Sequence, residues 1–152
     1  MILKLCFAAS SGGHLEEIMR LEKLREGRDC FLFTERGLEE SSFCDRVYYV
    51  NKIDRKERFF VFHLLALFRR SRRVLKLEKP ECIITTGALC AYPISLLGKL
   101  RGCKLIYIES FARTNSASLT GRLMHRIADL FIVQWEEGLA YYPKAVYGGG
   151  IF

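Results

Sequence analysis

The chain has 152 residues, enough for one ordinary domain with its own core and too few for two. A composition of 50 % hydrophobic and 27 % charged residues, only three prolines and no repeat or low-complexity tract exclude a disordered or fibrous chain. Six cysteines without a C-x-x-C pair and three scattered histidines exclude a zinc pattern and read most simply as reduced thiols in the cytoplasm.

In chain order, Ile2 to Ala9 is a short apolar run ending in Ser10-Ser11-Gly12-Gly13-His14. It is too short for a signal peptide and leads directly into the glycine turn. Leu15 to Arg25 follows as a helix, with Leu15, Ile18 and Met19 on one face. Cys30 to Thr34 and Arg46 to Val50 read as strands, and Lys56 to Leu77 as a long helix that stops before Pro80. The alternation then resumes: strand Glu81–Thr85, turn Thr86-Gly87, helix Cys90–Leu100, strand Lys104–Ile108, loop Glu109–Ser116 and helix Leu119–Ala128. Leu130–Val133 is a further strand, and Ala145-Val146-Tyr147 a short last one. Short apolar strands alternating with helices predict an α/β fold, a Rossmann-like parallel sheet with helices on both faces. Ligands of such sheets sit at the carboxyl ends of the strands, so the loops at Ser10–His14, Thr86-Gly87 and Glu109–Ser116 should gather on one edge.

The formal charge of +7 is localised. Between Lys52 and Lys79 ten bases face three acids, so this segment carries the whole excess. It also contains Phe59 to Phe68, FFVFHLLALF, broken only by His63. Helical spacing assigns Phe60, Leu64, Leu67 and Val74 to a core stripe and leaves Phe59, Phe62, Leu65 and Phe68 pointing elsewhere. Ten helical residues span about 15 Å, half of a bilayer core of roughly 30 Å, so the run cannot cross a membrane. It can lie in the interface with Arg69, Arg70, Arg72 and Arg73 at the headgroups, or be buried on two sides within the domain. Nucleic acid is not an expected partner, because the phenylalanines are massed in one block and no nucleic-acid motif is present.

Three loops carry candidate chemistry. Ser11, Gly12 and Gly13 let a backbone approach a ligand at a helix start, without a full G-x-G-x-x-G or P-loop, and read equally as a plain strand-to-helix turn. His14 is either a surface cap or a proton acceptor beside a phosphate site. Glu35, at the end of the second strand, stands where a dinucleotide fold places its ribose-binding acid. Thr86-Gly87 repeats the strand–glycine–helix pattern. Glu109, Ser110 and Arg113 follow a buried strand, where Glu109 either serves an active-site edge or pairs with Arg113.

Taken in order, Ser11-Gly12-Gly13-His14, Thr86-Gly87, Ile108 to Arg113, Ala128 to Trp135 and Tyr142 to Tyr147 resemble one family across nearly the whole chain. It is the membrane-recruiting subunit of the two-subunit UDP-N-acetylglucosamine transferase of lipid-linked oligosaccharide synthesis, with its bacterial capsule and exopolysaccharide (PssD-like) relatives. Glu-Ser-Phe-Ala-Arg and Phe-Ile-Val-Gln-Trp are the most specific runs. More distantly the order is similar to the amino-terminal domain of the peptidoglycan N-acetylglucosaminyltransferase, in which Glu109 matches while Ser110 and Phe111 depart from Gln-Asn.

The resemblance implies a single acceptor-side domain over residues 1–152, equivalent to the amino-terminal half of a GT-B glycosyltransferase, ending where an interdomain linker would begin. It implies a separate donor-binding subunit that brings the UDP-sugar, and a polyprenyl-diphosphate-linked saccharide as acceptor. It further implies no metal or other cofactor, and inactivity of the chain alone. His14 and Glu109 are the implied catalytic residues. Ser11, Gly12, Gly13, Thr86, Gly87, Ser110 and Arg113 are the implied acceptor- or diphosphate-binding residues. Attachment would be peripheral, at the cytoplasmic face of the plasma membrane, through Phe59, Phe62, Phe68 and the four arginines of the segment at about 56–79. A non-catalytic adaptor for a partner enzyme and a free-standing nucleotide-binding protein remain as alternatives.

Overall fold

The computed structural model describes residues 3–37 and 41–152; Ile2, the expected first strand residue, lies outside them. Seven strands form one sheet: β1 (Lys4–Ala9), β2 (Asp29–Glu35), β3 (Arg46–Val50), β4 (Cys82–Gly87), β5 (Lys104–Ile108), β6 (Leu130–Val133) and β7 (Val146–Tyr147). Their order is β3-β2-β1-β4-β5-β6-β7 and every pairing is parallel. The order reverses between β1 and β4, the topological switch point at which open α/β sheets bind ligands.

Strand alternation explains why both faces are apolar. Along β1, Leu5, Phe7 and Ala9 enter one core layer while Cys6 and Ala8 enter the other. The helices α2 (Phe60–Glu78), α3 (Ala91–Leu100) and α4 (Leu119–Met124) cover the second layer with Leu67, Val74, Leu75, Ile94 and Met124. The first layer is covered by Ile18 of α1 (Gly13–Met19) and by Phe43 and Cys44 of the β2–β3 connection. Cys30 and Cys44 approach to 3.6 Å, and all six cysteines are free thiols.

Several boundaries differ from the sequence expectation, each for a local reason. The first helix stops at Met19 and is followed by a 3₁₀ turn over Glu22–Arg25. Bonds from Leu21 N–H to Ile18 and from Leu24 N–H to Leu21 tighten the chain, and Met19 turns outward because only Glu17 and Ile18 of α1 are buried. Thr86 and Gly87 end β4 instead of forming the turn, which falls on Leu89 and Cys90. The long helix begins at Phe60, since Asp54 and Glu57 close a separate turn through side-chain bonds to the Lys56 and Asp54 N–H groups. It ends on left-handed Lys79, before Pro80. Helix α4 stops at Met124 instead of Ala128, its start capped by Ser118 Oγ, which accepts from the Gly121 N–H at 2.8 Å.

Helix α2 divides the aromatic run between the core and the surface. Leu67, Ser71, Val74, Leu75 and Glu78 are buried, Phe60 and Leu64 half-buried. Phe59, Val61, Phe62 and Leu65 are 56, 63, 67 and 55 % exposed. Phe68, placed with the outward set by spacing, is half-buried. No helix among the described residues is long and apolar enough to cross a membrane.

At its far end α2 is tied to the sheet by Glu78. This buried carboxylate accepts from Tyr48 Oη at 2.5 Å and pairs with Lys4 Nζ at 3.2 Å and Arg46 Nε at 3.5 Å. Burial and the Glu78 bond push the Tyr48 hydroxyl up to about 12. Glu78→Ala should cost about 2–4 kcal/mol, because a half-buried hydroxyl and ammonium lose their acceptor; the denaturant midpoint reads this out. Asp29, held low chiefly by its hydrogen bond from Lys4, adds stability that is present above its ordinary 3.8 and is lost as pH falls through its folded value.

Candidate functional site

At the carboxyl edge of the sheet, a cleft of about 430 Å³ opens beside the switch point. Its lining includes His14, Arg55, Ala88, Tyr107, Ser110, Arg113 and Ser118. The structure therefore brings His14, Ser110 and Arg113 together, with Glu109 in the wall behind them. Ser11, Gly12 and Gly13 do not line the cleft; they shape the turn that delivers His14.

That delivery follows from the local chain. Gly12 takes φ 84°, open to glycine at no steric cost, and its carbonyl accepts from the Leu15 and Glu16 N–H groups to start α1. Thr86 Oγ donates to the His14 carbonyl at 2.6 Å, pinning α1 to β4. Gly87 has φ 108°, and a Cβ there would meet Tyr107 Oη at 2.9 Å, so a side chain at this position would press on that hydroxyl; neither Thr86 nor Gly87 lines the cleft. Next to it, Ala88 holds φ 69°, a left-handed conformation that an alanine adopts only under constraint.

The His14 ring is half-buried, and its Nδ1 is enclosed without a hydrogen-bond partner among the described residues. Burial lowers its pKa below the ordinary 6.5; the Thr86 backbone and the Glu109 charge pull the other way, and Arg113 adds to the lowering. At neutral pH the imidazole is thus uncharged and able to accept a proton.

Glu109 is 3 % exposed and fully engaged. It accepts from the hydroxyls of Tyr107 at 3.2 Å, Ser118 at 3.0 Å and Tyr142, and from the Ser110 N–H at 3.0 Å. The pairing with Arg113 weighed from sequence is not among the ion pairs of the described residues, and no hydrogen bond joins Glu109 to His14. Arg113 is exposed and donates to Ser116 Oγ at 3.3 Å. Glu35 is buried at the end of β2, its pKa raised by desolvation against hydrogen bonds from Ser11 and the Ile53 backbone. It lies apart from the cleft lining.

Sequence reasoning missed Glu17. Buried at 3 % exposure, its Oε1 accepts from the Phe111 N–H at 2.8 Å and from Ser110 Oγ at 3.2 Å, while Oε2 is enclosed without a partner. Burial is the main cause of its raised pKa. Helical spacing gave no signal for it, since Glu17 lies off the face expected from Leu15, Ile18 and Met19, and α1 turns Met19 outward instead. The Gln134-Trp135 run holds the same loop from the other side: Gln134 Nε2 donates to the Glu109 carbonyl at 3.0 Å and Trp135 Nε1 to the Phe111 carbonyl at 2.7 Å.

Phe59 and Phe62 lie exposed on the first turn of α2, at the same sheet edge as the cleft, with half-buried Phe68 further along. Arg69, Arg70, Arg72 and Arg73 follow on exposed positions toward the opposite edge, Arg70 resting over the Tyr48 ring.

A structural role for the Glu109 cage predicts that Glu109→Ala destabilises the isolated chain by about 2–4 kcal/mol, since the buried Tyr107 and Tyr142 hydroxyls and the half-buried Ser118 hydroxyl lose their acceptor. Chemical denaturation measures it, and a change below about 1 kcal/mol would contradict the role.

The sequence profile of the family described as "Oligosaccharide biosynthesis protein Alg14 like" matches residues 58–151. The UDP-N-acetylglucosamine transferase subunit ALG14 of Candida albicans is 32 % identical over 171 residues, covering 96 % of this chain and 77 % of that protein. The subunit of the same name from Kluyveromyces lactis is 47 % identical over 68 residues, 45 % of this chain and 28 % of that protein. Among solved structures, Acinetobacter baumannii MurG superposes with a TM-score of 0.69 at 19 % identity, over 88 % of this chain. The chain spans 41 % of MurG, and the shared part is the Rossmann-like half of the GT-B type. Profile match and extended identity together place this chain in the Alg14 family.

Proposed function

We propose that this chain is the acceptor-side, membrane-associating subunit of a two-component glycosyltransferase. A partner subunit holds the UDP-sugar, and the acceptor is a polyprenyl-diphosphate-linked saccharide. The observation that carries the reading is the cleft at the switch point of a GT-B-like sheet, where an uncharged, half-buried His14 shares the lining with two arginines. The names of the Candida and Kluyveromyces relatives support N-acetylglucosamine as the transferred sugar. A capsule or exopolysaccharide acceptor would use the same cleft and differ in the saccharide alone.

In the proposed reaction the acceptor hydroxyl oxygen attacks the anomeric carbon of the donor, and the bond from that carbon to the nucleotide diphosphate breaks. His14 takes the hydroxyl proton, and the nucleotide diphosphate leaves with the bonding electron pair. Glu109 contributes by fixing the wall that carries Tyr107 and Ser110, its own oxygens being occupied. Thr86 and the turn at Ser11-Gly12-Gly13 hold His14 in place.

The apolar start of α2 at the cleft's own edge supports attachment to the membrane that carries the acceptor, with the arginines at its headgroups. Each inserted aromatic ring contributes about 1.5–3 kcal/mol and each basic residue about 1 kcal/mol. Binding of Phe59→Ser/Phe62→Ser to vesicles containing anionic lipid should therefore weaken at least tenfold, on the order expected from that burial. Unchanged sedimentation with vesicles would remove the membrane role.

Reconstitution with the partner and a lipid-linked acceptor tests the catalytic assignment. His14→Ala should lower kcat by about 10²–10⁴-fold. The acid limb of the wild-type kcat/KM should lie below pH 6.5, because the lowered pKa keeps His14 unprotonated until then. The saturated Glu109 also fits an adaptor that only recruits its partner; substantial transfer by the partner alone would establish that second reading.

A further inference from the structure

The connection from β3 to α2 carries a residue to which the sequence analysis gave no role. Arg55 lines the same cleft as Arg113, although their loops leave strands at different places in the sheet. In the order β3-β2-β1-β4-β5, four strand spacings separate β3 from β5, roughly 19 Å at about 4.8 Å each. The segment after β3 must therefore arch back over β2 and β1 to set Arg55 at the switch point, opposite the loop that follows β5.

The charge balance of that arrangement is one-sided. Among the described residues no carboxylate lines the cleft, and neither Arg55 nor Arg113 takes part in an ion pair. Glu109 lies behind the wall with its oxygens bonded to Tyr107, Ser118 and Tyr142. Two guanidinium groups converging on an acid-free concavity repel one another unless an anion lies between them. Their planar donor forks match the oxygens of a phosphate. The lining also includes Ala88, whose left-handed backbone is a strained choice for a residue with a side chain.

We infer that Arg55 and Arg113 form the two jaws of an organic-diphosphate site, and that the glycine turn at Gly12-Gly13 supports His14 instead of binding the diphosphate itself. The inference rests on the acceptor-side reading above and deepens it. Arg55 also precedes Phe59 by four residues, so the chain that reaches the membrane face is the chain that closes over the diphosphate.

Titration calorimetry on the purified full chain tests this with inorganic pyrophosphate, geranyl diphosphate and UDP. Pyrophosphate and at least one organic diphosphate should bind, more weakly as salt rises. Arg55→Ala and Arg113→Ala should each weaken binding at least tenfold, with melting temperatures near wild type because both side chains are exposed. Arg101→Ala, which removes an equal charge at the opposite sheet edge, should bind as wild type does. Preference for geranyl diphosphate over UDP assigns the site to the lipid acceptor; the reverse preference, if it depends on Arg55, assigns it to the nucleotide, and either supports the site. Absence of diphosphate binding by the wild type, or wild-type affinity in Arg55→Ala, overturns the inference. Sugar transfer by the reconstituted complex despite such a result would leave the proposed function intact. Arg55-dependent diphosphate binding without transfer by any reconstituted complex would sink the function and spare the site.

Discussion

A carboxylate removed from water must be matched by donors, and Glu109 draws its donors from four parts of the chain. Tyr107 comes from β5, Ser110 from the loop that follows, Ser118 from the cap of α4, and Tyr142 from beyond the last 3₁₀ turn at Glu136–Ala140. Ser118 is shared, since the oxygen that donates to Glu109 also accepts from Gly121 to begin α4. Gly121 has no room for a Cβ, which would fall on the Glu109 and Tyr142 oxygens. The loop bearing Ser110 and Arg113 is thus held from beneath by Glu109, from α1 by Glu17 and from the segment just past β6 by Gln134 and Trp135. The cleft is shaped by this scaffolding.

Much of the sheet was legible in the sequence because buried strands declare themselves by apolar runs. β3, β5 and β6 have the expected limits, and the sheet edge gathers the loops that follow β1 and β5 as parallel topology requires. Local bonding that competes with helix was less legible. Asp54 and Glu57 delay the start of α2, and i to i+3 bonds divide the helix expected from Leu15 to Arg25. The site was legible only in part. His14, Ser110 and Arg113 stand in recognisable loops, whereas the bonds from Ser110 and Phe111 to Glu17 join residues 93 and 94 positions apart. No local pattern encodes such a contact. Arg55 was hidden for a related reason, since the path of its loop depends on where α2 packs.

Composition alone said that positive charge is concentrated between Lys52 and Lys79, and left open what it faces. The structure divides that segment by position. Its apolar start is at the cleft edge, its arginines run toward the opposite edge, and Glu78 locks its end to Lys4, Arg46 and Tyr48. Rigid anchorage at one end and exposed aromatic rings at the other suit a helix that must hold an orientation against a surface while the sheet keeps its shape. The resemblance to a two-subunit transferase supplied the functional frame, and the geometry supplied the residues that fill it.

Tyr142 reaches back 33 positions to Glu109. During synthesis, β1 through β5 can emerge and pair well before that hydroxyl leaves the ribosome, so the acid would meanwhile sit beneath an open wall. The cleft is therefore among the last parts of the domain to take its final form, and a nascent chain has the sheet before it has the site.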